Sequence, residues 1–399
     1  MSILRIIRVL TRLSLERIPQ SEVLQFGGTE VSAPELLADE FEISSLPLVS
    51  QLVNVRVLLK SFSHFRFSRW DYYRTYIQLA NARVILVWHD TNIEAYALSR
   101  FIDIPVFVIQ NGVRHNVGPA SGCGFIDDLR RLSERSRPMV DVYFCFGAAE
   151  PILLGDYITT RFVQHGSLRA NAYAARRTTL PHRPTGKSVG FIVSFPNKNE
   201  VPTEHIQGNG HPFTRIGQKV ISYAEYFALD AVTARALARV STELGANFQI
   251  IGKRSDERSI EADFFREVLG DHADVLCHEK GDGYATADRF DYLVTVDSTL
   301  GYEMRALGKN VAFVSNRLKL LGISSGDLTY GYPLNVAADG EYWTSATSEP
   351  EIEDFLRRWI LRCESNMGGR PEDSFHLMHL DPRNSILRTT IREQIANRQ

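Results

Sequence analysis

The stretch Val-Thr-Val-Asp-Ser-Thr-Leu-Gly-Tyr-Glu-Met-Arg-Ala-Leu-Gly-Lys-Asn-Val-Ala-Phe-Val-Ser, residues 294–315, decides the fold. The apolar run Tyr292 to Val296 reads as a buried strand and stops at Asp297-Ser298-Thr299. A helix is expected from Leu300 to Leu307, and a second strand from Val311 to Val314 follows Gly308. Strand, hydroxyl-rich turn, helix and strand make one unit of a parallel sheet.

The same rhythm extends outward. Ala82 to Trp88, Ile104 to Ile109 and Val140 to Phe146 read as strands buried on both faces, and Ile93 to Phe101 as a helix. A further strand at Phe162-Val163 ends at Gly166-Ser167. Arg176 to Lys187 holds two prolines, a glycine and basic residues without periodicity, and reads as a linker. Ser188 to Ser194, Phe248 to Ile251 and Val275 to Cys277 are further strands; Tyr223 to Leu244 and Ile260 to Leu269 are helices. Glu351 to Arg362 is an amphipathic helix with Ile352, Phe355, Leu356, Trp359 and Ile360 on one face. The expectation is an α/β chain of two facing Rossmann-like domains with a cleft between them. The boundaries are 1–175, a linker at 176–187, 188–364, and a tail at 365–399 that packs back on the first domain.

The 399 residues fit two domains, and 44% hydrophobic with 23% charged excludes a disordered chain. Forty-five basic against 47 acidic residues leave no excess with which to neutralise phosphates, so no nucleic-acid partner is expected. The four cysteines form no C-x-x-C pair, and free thiols in a reducing cytoplasm are expected. No stretch is long and apolar enough to span a bilayer. Met1 to Arg17 spaces arginines 5, 8, 12 and 17 among aliphatic residues. It reads either as an element of the first domain or as a cationic helix lying on an anionic membrane surface. Ser61 to Tyr76 is aromatic and basic, and reads as a packed helix in preference to a stacking surface for bases or sugars.

Ligands of parallel sheets bind outside the carboxyl ends of the strands, where the polar residues cluster. Ser298 and Thr299 stand where a helix begins, so free N–H groups and the helix dipole favour an anion there. Glu303 lies about one turn on, where a carboxylate suits a ribose diol; the plainer alternative is an N-cap followed by a solvated glutamate. In the first half His89, Asp90 and Glu94 are candidate bases for an acceptor hydroxyl, with Asp90 alternatively a helix cap. Gln110, Asn111 and Arg114 follow the next strand: the amides suit sugar hydroxyls, and Arg114 suits a carboxylate or phosphate. Lys253 and Arg254 are placed to neutralise a leaving phosphate, and His278 to meet a base or ribose.

The Ser298-Thr299…Glu303 arrangement and the run Glu303…Ala306-Leu307-Gly308-Lys309…Val311 resemble the donor-binding segment of GT-B glycosyltransferases. With Trp88-His89-Asp90-Thr91-Asn92 and Ile109-Gln110-Asn111-Gly112-Val113-Arg114, the chain resembles bacterial transferases of surface-carbohydrate biosynthesis, for lipopolysaccharide or capsule. The resemblance runs from about residue 82 to 316 and implies a GT-B fold with a nucleotide-sugar donor, for example a CMP-linked acid such as Kdo. It implies a glycan or lipid-linked glycan acceptor, no cofactor, and a place in the cytoplasm or at the inner face of its membrane. No D-x-D motif is present, so a metal-chelated donor is not expected; nor is there a P-loop, a G-x-G-x-x-G or a G-x-S-x-G. The alternatives are a polyol-phosphate transferase or sugar-nucleotide epimerase of the same architecture, and a non-catalytic glycan- or nucleotide-sugar-binding assembly protein.

Overall fold

The computed structural model describes residues 13–27, 32–63, 68–113, 125–177, 187–193, 212–216, 219–252, 258–270, 275–277, 282–315, 317–322, 330–331, 334, 336–365 and 377–397. The chain divides into two compact units: Met1–Gly112 with Phe125–Ala175 and His379–Gln399, and Val113–Gly124 with Arg176–Met378. Most of the arginine-rich segment before Leu13, and residues 178–186 of the expected linker, lie outside the described residues.

The first unit carries β1 (Leu13–Ser14), β2 (Val23–Phe26), β3 (Ile43–Leu46), β4 (Val53–Asn54), β5 (Val84–Val87), β6 (Val106–Ile109), β7 (Met139–Cys145) and β8 (Thr159–Gln164). Six of them form a sheet in the order β3-β2-β5-β6-β7-β8, every neighbouring pair parallel. All four residues of β5 and of β6 are buried, as continuous aliphatic runs require of strands covered on both faces. Of the aromatic stretch Ser61 to Tyr76, Ser61 to Ser63 belong to the helix Val55–Ser63 and Arg69 to Tyr76 to the helix Arg69–Ala80, which is capped by Ser68 and Asp71 in a reciprocal box; residues 64–67 lie outside the described residues. Tyr72, Tyr73 and Tyr76 of that helix are buried. The helix expected over Ile93 to Phe101 is only Ala95–Leu98, with single turns on either side.

The segment after Met378 returns to this first sheet. Gly166 and Leu380 form an antiparallel bridge, and the helix Ser385–Ala396 lays Leu387, Ile391 and Ile395 into the same core as Val84, Leu86, Trp88 and Phe144. A buried polar lattice ties the return. Asn171 Nδ2 donates to Asn384 Oδ1 at 2.9 Å, Asp381 N–H to Asn171 Oδ1 at 2.9 Å, and His379 N–H to the Phe146 carbonyl at 2.7 Å.

The second unit carries β9 (Ser188–Ile192), β10 (Pro212–Ile216), β11 (Lys219–Ser222), β12 (Asn247–Gly252), β13 (Val275–Cys277), β14 (Tyr292–Thr295), β15 (Asn310–Val314) and β16 (Trp343–Thr344). Its six-stranded parallel sheet runs β13-β12-β9-β14-β15-β16. Counting only the strands of this sheet in chain order, that is 3-2-1-4-5-6, the Rossmann order. The helix expected from Tyr223 to Leu244 breaks at Phe227 into Tyr223–Tyr226 and Ala228–Glu243. Arg177, inside the expected linker, is anchored in this unit by a fork to Asp288, at 3.0 Å from Nε and 2.6 Å from Nη2.

Strand order locates the places where a ligand can sit. In an open parallel sheet the crevice forms where the winding reverses. In the second sheet this is between β9 and β14, and in the first between β2 and β5. The sequence motifs Asp297-Ser298-Thr299 and His89-Asp90-Thr91-Asn92 follow the carboxyl ends of β14 and β5.

Candidate functional site

In the second unit Thr295, the last residue of β14, ties the reversal point together. Its Oγ1 donates to the Ile192 carbonyl at the end of β9 at 2.9 Å and accepts the Ser298 N–H at 3.2 Å. Ser298 is the N-cap of the helix Thr299–Ala306, with φ −71° and ψ 131°, and its side chain makes no capping bond. The Gly301 N–H donates to the Ser298 carbonyl at 2.9 Å, while the N–H groups of Thr299 and Leu300, at the first turn of the helix, have no carbonyl of a preceding turn to meet. Thr299 Oγ1 accepts the N–H of Val113, a residue grouped with this unit, at 3.1 Å. Glu303 follows Thr299 by one turn and is buried, not solvated as the plainer sequence alternative had it.

Gly301 explains how the helix approaches the strand so closely. A Cβ there would lie 2.4 Å from Thr295 Cγ2. Gly301→Val is therefore expected to push the helix start off the β9–β14 crevice at a cost of about 1–3 kcal/mol, read as a lower melting temperature.

An ion cluster that sequence reading missed lies beside this turn. Arg317, just after β15, donates from Nε to Asp297 Oδ2 at 2.9 Å and from Nη1 to Asp230 Oδ2 at 2.6 Å. Nη1 also donates to the Tyr226 carbonyl, and the guanidinium carbon lies 4.3 Å from the centre of the Tyr226 ring. Arg317 is 7% and Asp230 1% exposed. Burial pushes the Asp230 carboxyl up, against the pull of the Arg317 charge. The signal available in the sequence was an aspartate within the apolar helical pattern Ala228-Leu-Asp-Ala-Val.

In the first unit the candidates sort differently. Asp90 is fully buried and caps no helix. Its Oδ2 accepts the Tyr143 hydroxyl at 2.9 Å, its Oδ1 the Asn111 N–H at 3.4 Å, and its carbonyl the Tyr96 hydroxyl at 2.7 Å. Glu94 accepts the Tyr73 hydroxyl at 3.2 Å and pairs with Arg69 at 3.3 Å. His89 is half-buried, with Nδ1 3.2 Å from Asn111 Nδ2, so the Asn111 amide selects which ring nitrogen carries the proton.

Gln110 departs from its expected sugar-binding role. It is fully buried. Its Nε2 donates to Glu150 Oε1 at 2.7 Å and to the Gly112 carbonyl at 3.0 Å, and its Oε1 accepts the Phe146 N–H at 2.6 Å. With its amide spent inside the protein, Gln110 shapes the loop that carries Asn111. Glu150, its partner, went unnoticed in the sequence. It is buried, meets only neutral donors, and burial pushes its carboxyl up to about 7. Arg114, Lys253, Arg254 and His278 lie outside the described residues. Among the described residues no cluster of His, Cys, Asp and Glu is arranged to hold a metal ion, and no helix is long and apolar enough to cross a membrane.

No curated protein matches the chain. Several solved structures do. The S. aureus MnaA–UDP structure has 12% identity, covering 94% of this chain and 97% of that one, with a TM-score of 0.52. The wall teichoic acid polymerase TagF has 10% identity over 96% of this chain and 90% of that one, with a TM-score of 0.51. The UDP-GlcNAc 2-epimerase from Neisseria meningitidis bound to UDP-GlcNAc has 12% identity over 93% of this chain and 99% of that one, with a TM-score of 0.50. At such identities the likeness is one of fold, and the fold is GT-B. A family model described as "putative O-antigen biosynthesis protein" matches residues 107–395. That match spans more than half of the chain, from β6 through the second sheet to the returning C-terminal helix, and the chain belongs to this family of O-antigen biosynthesis proteins.

Proposed function

We propose that this protein is a glycosyltransferase that moves a sugar from a nucleotide-sugar donor to a surface-glycan acceptor. One observation carries the reading: the helix start at Ser298-Thr299, with its uncommitted Ser298 hydroxyl, stands at the reversal point of the second sheet. The donor phosphate is held by the helix N–H groups and Ser298, and the ribose by Glu303 one turn on. Lys253, Arg254 and His278 complete this donor set in the reading, and Arg114 joins Asn111 on the acceptor.

In the transfer, the acceptor oxygen bonds to the anomeric carbon as the bond from that carbon to the phosphate oxygen breaks. The leaving nucleotide keeps the electron pair, and the acceptor proton passes to a base. The base candidates are His89, Asp90 and Glu94, and His89 turns its Nδ1 to the Asn111 amide. Asp90 is buried on Tyr143 and serves to hold the Asn111 loop, while Glu94 is neutralised by Arg69. The reading calls for no cofactor, because the donor brings its own activated bond. We place the enzyme on the cytoplasmic side of the membrane, with residues 1–17 as its peripheral contact. A CMP-linked acid such as Kdo is the proposed donor, and with that donor Arg114 meets its carboxylate instead of the acceptor.

The test is calorimetric titration with UDP, CDP and CMP, followed by turnover with a panel of nucleotide sugars. Ser298→Ala and Glu303→Ala are each expected to weaken nucleotide binding by about 10- to 100-fold, the loss of one buried hydrogen-bonded contact. Unchanged affinity in both variants overturns the site. Conversion of a nucleotide sugar without any acceptor points to an epimerase, and transfer of a phosphate-bearing polyol to the polyol-phosphate reading. Binding without nucleotide release under every acceptor points to an assembly protein.

A further inference from the structure

Half of the large hydrophobic side chains exposed among the described residues sit in one corner of the first unit: Leu13, Leu15, Leu59 and Phe62. β1 and β4 pair in parallel, with Leu13 opposite Val53 and Ser14 opposite Asn54, so the chain at Leu15 comes level with the start of the helix Val55–Ser63. Asn54 ties the two together. Its Oδ1 accepts the Arg56 N–H at 3.0 Å, and its Nδ2 donates to the Glu16 carbonyl at 2.8 Å. Its own N–H donates to the Tyr72 hydroxyl at 2.8 Å, and Ser61 Oγ donates to Thr75 Oγ1 at 3.0 Å. Both bonds fix the corner on the helix Arg69–Ala80.

On that fixed helix the side chains fall into stripes, because residues three and four apart share a face. Val57 and Ser61 form the buried stripe. Val55, Leu59 and Phe62 form a second, on which Leu59 is 63% and Phe62 47% exposed. Arg56 and Lys60, both exposed, form a third beside it. Leu15, 71% exposed, adds an aliphatic side chain at the helix start. An apolar stripe bordered by cations, on a helix without an acid, is the layout of a helix lying flat in a lipid headgroup layer.

The charge of this corner departs from that of the whole chain. Residues 1–17 and 55–63 hold Arg5, Arg8, Arg12, Arg17, Arg56 and Lys60 against Glu16 alone, whereas the chain has 45 basic and 47 acidic residues. A balanced protein that gathers its cations beside exposed leucine and phenylalanine side chains is complementary to a surface that is anionic outside and apolar beneath. A second copy fits less well, since a two-fold pairing of this face would set Arg56 and Lys60 against their own equivalents.

We propose that the outer face of the helix Val55–Ser63, with Leu15 at its start, is a docking surface for an anionic lipid bilayer. Leu59 and Phe62 enter the headgroup layer, and Arg56 and Lys60 meet lipid phosphates. This deepens the reading of residues 1–17 as a peripheral membrane contact, and rests on it, by giving that contact a folded platform. It is independent of the donor and base assignments.

Flotation of the full chain tests this, with vesicles of phosphatidylglycerol and phosphatidylethanolamine and, separately, of phosphatidylcholine alone. The parent is expected to float with the first and not with the second, and to be released by added salt, which screens exposed charges. Leu59→Ser with Phe62→Ser should bind about tenfold or more weakly, and so should Arg56→Gln with Lys60→Gln. All four positions are exposed, so both variants should keep the parent's melting temperature, measured alongside. A tryptophan reads the place of contact. Relative to the parent, emission of Leu59→Trp should shift to the blue on the anionic vesicles. Emission of Ile152→Trp, an exposed position on the helix Ala149–Leu154 of the same unit, should not.

If Arg5→Gln, Arg8→Gln and Arg12→Gln together abolish flotation while both helix variants float like the parent, residues 1–17 carry the contact and this inference alone falls. If the parent floats with neither vesicle, the reading of residues 1–17 falls and takes the inference with it. Equal flotation with phosphatidylcholine shows apolar adhesion without recognition of charge, and overturns the choice of an anionic surface. A blue-shifted Leu59→Trp in the absence of vesicles shows the face covered by the chain's own first residues or by a second copy. It overturns the proposal, and sedimentation tells those two occupants apart.

Discussion

A chain ending at Met378 is expected to lose its folded first unit. The returning segment is part of that unit's core: Leu387 and Ile391 are fully buried and Ile395 nearly so, packed on residues of β5, β6 and β7. Burying three such side chains contributes roughly 5–9 kcal/mol at about 1.5–3 kcal/mol each. A whole domain keeps only about 5–15 kcal/mol of net stability, so the loss is comparable with the total. The polar lattice adds to it, because Asn171 and His165 are buried and would lose Asn384 and Asp381 as partners. The measurement is native-state hydrogen exchange, read over peptides of β5 and β6 in the shortened chain. Exchange at unprotected rates is the expected result, and retained protection would show that the helix is dispensable. Leu387→Ala should lower stability by about 2–5 kcal/mol as a point substitution. Arg388→Ala, which removes an exposed-side ion pair with Asp39 and Glu40, should cost far less, about 1 kcal/mol or below.

The second large effect is on pH, and two buried groups of the first unit oppose each other in it. Glu150 has its carboxyl pushed by burial from the ordinary 4.5 up to about 7, with Asp90 and Cys145 as the titratable groups facing it. The folded state therefore binds this proton more tightly than the unfolded state. Its stabilising contribution is present below 4.5 and is lost as the pH rises through 7. His165 is the reverse case. Burial lowers it from 6.5 to about 4, despite the nearby Asp381, with His379 also facing it. Its contribution is present above 6.5 and is lost as the pH falls through 4.

Each shift corresponds to roughly 3 kcal/mol, at about 1.4 kcal/mol per pH decade. Between pH 4.5 and 6.5 the two slopes have opposite signs, and these two contributions nearly cancel. Each single variant should then expose the other group. Glu150→Gln should leave a first unit that loses stability on acidification from pH 7 to 4. His165→Gln should leave one that loses stability as the pH rises from 4.5 to 7. Hydrogen-exchange free energies for β6 and β7 peptides across this range are the check. A variant whose pH slope matches that of the parent would remove the corresponding residue from the account.

Much of the architecture was legible in the chain itself. The aliphatic runs at β5, β6, β7, β9, β14 and β15 are readable because a strand covered on both faces must be apolar throughout. The turn at Asp297-Ser298-Thr299 is readable because small hydroxyl side chains before a helical run mark a helix start. Strands without an apolar run were harder. β3 carries Ser44 and Ser45 in its four residues, and β16 is only two residues long, so neither has an apolar signature. The aromatic stretch was read as one packed helix where its described residues divide between two, Val55–Ser63 and Arg69–Ala80, and the short Ala95–Leu98 was overestimated, because local pattern does not say where tertiary packing ends a helix.

Taken alone, the sequence determined that there would be two parallel sheets, and which strands would end in polar residues. Strand order came only with the tertiary structure, because it depends on where each crossover lays its strand, a long-range choice with no local signature. That order puts the winding reversals at β2–β5 and β9–β14, and so distinguishes the polar strand ends that can receive a ligand from those that serve as scaffold. Burial did the rest. It made Gln110 a loop brace and Glu150 a proton holder, and it drew Asp230 and Arg317, 87 residues apart in the chain, onto the flank of the Asp297 turn.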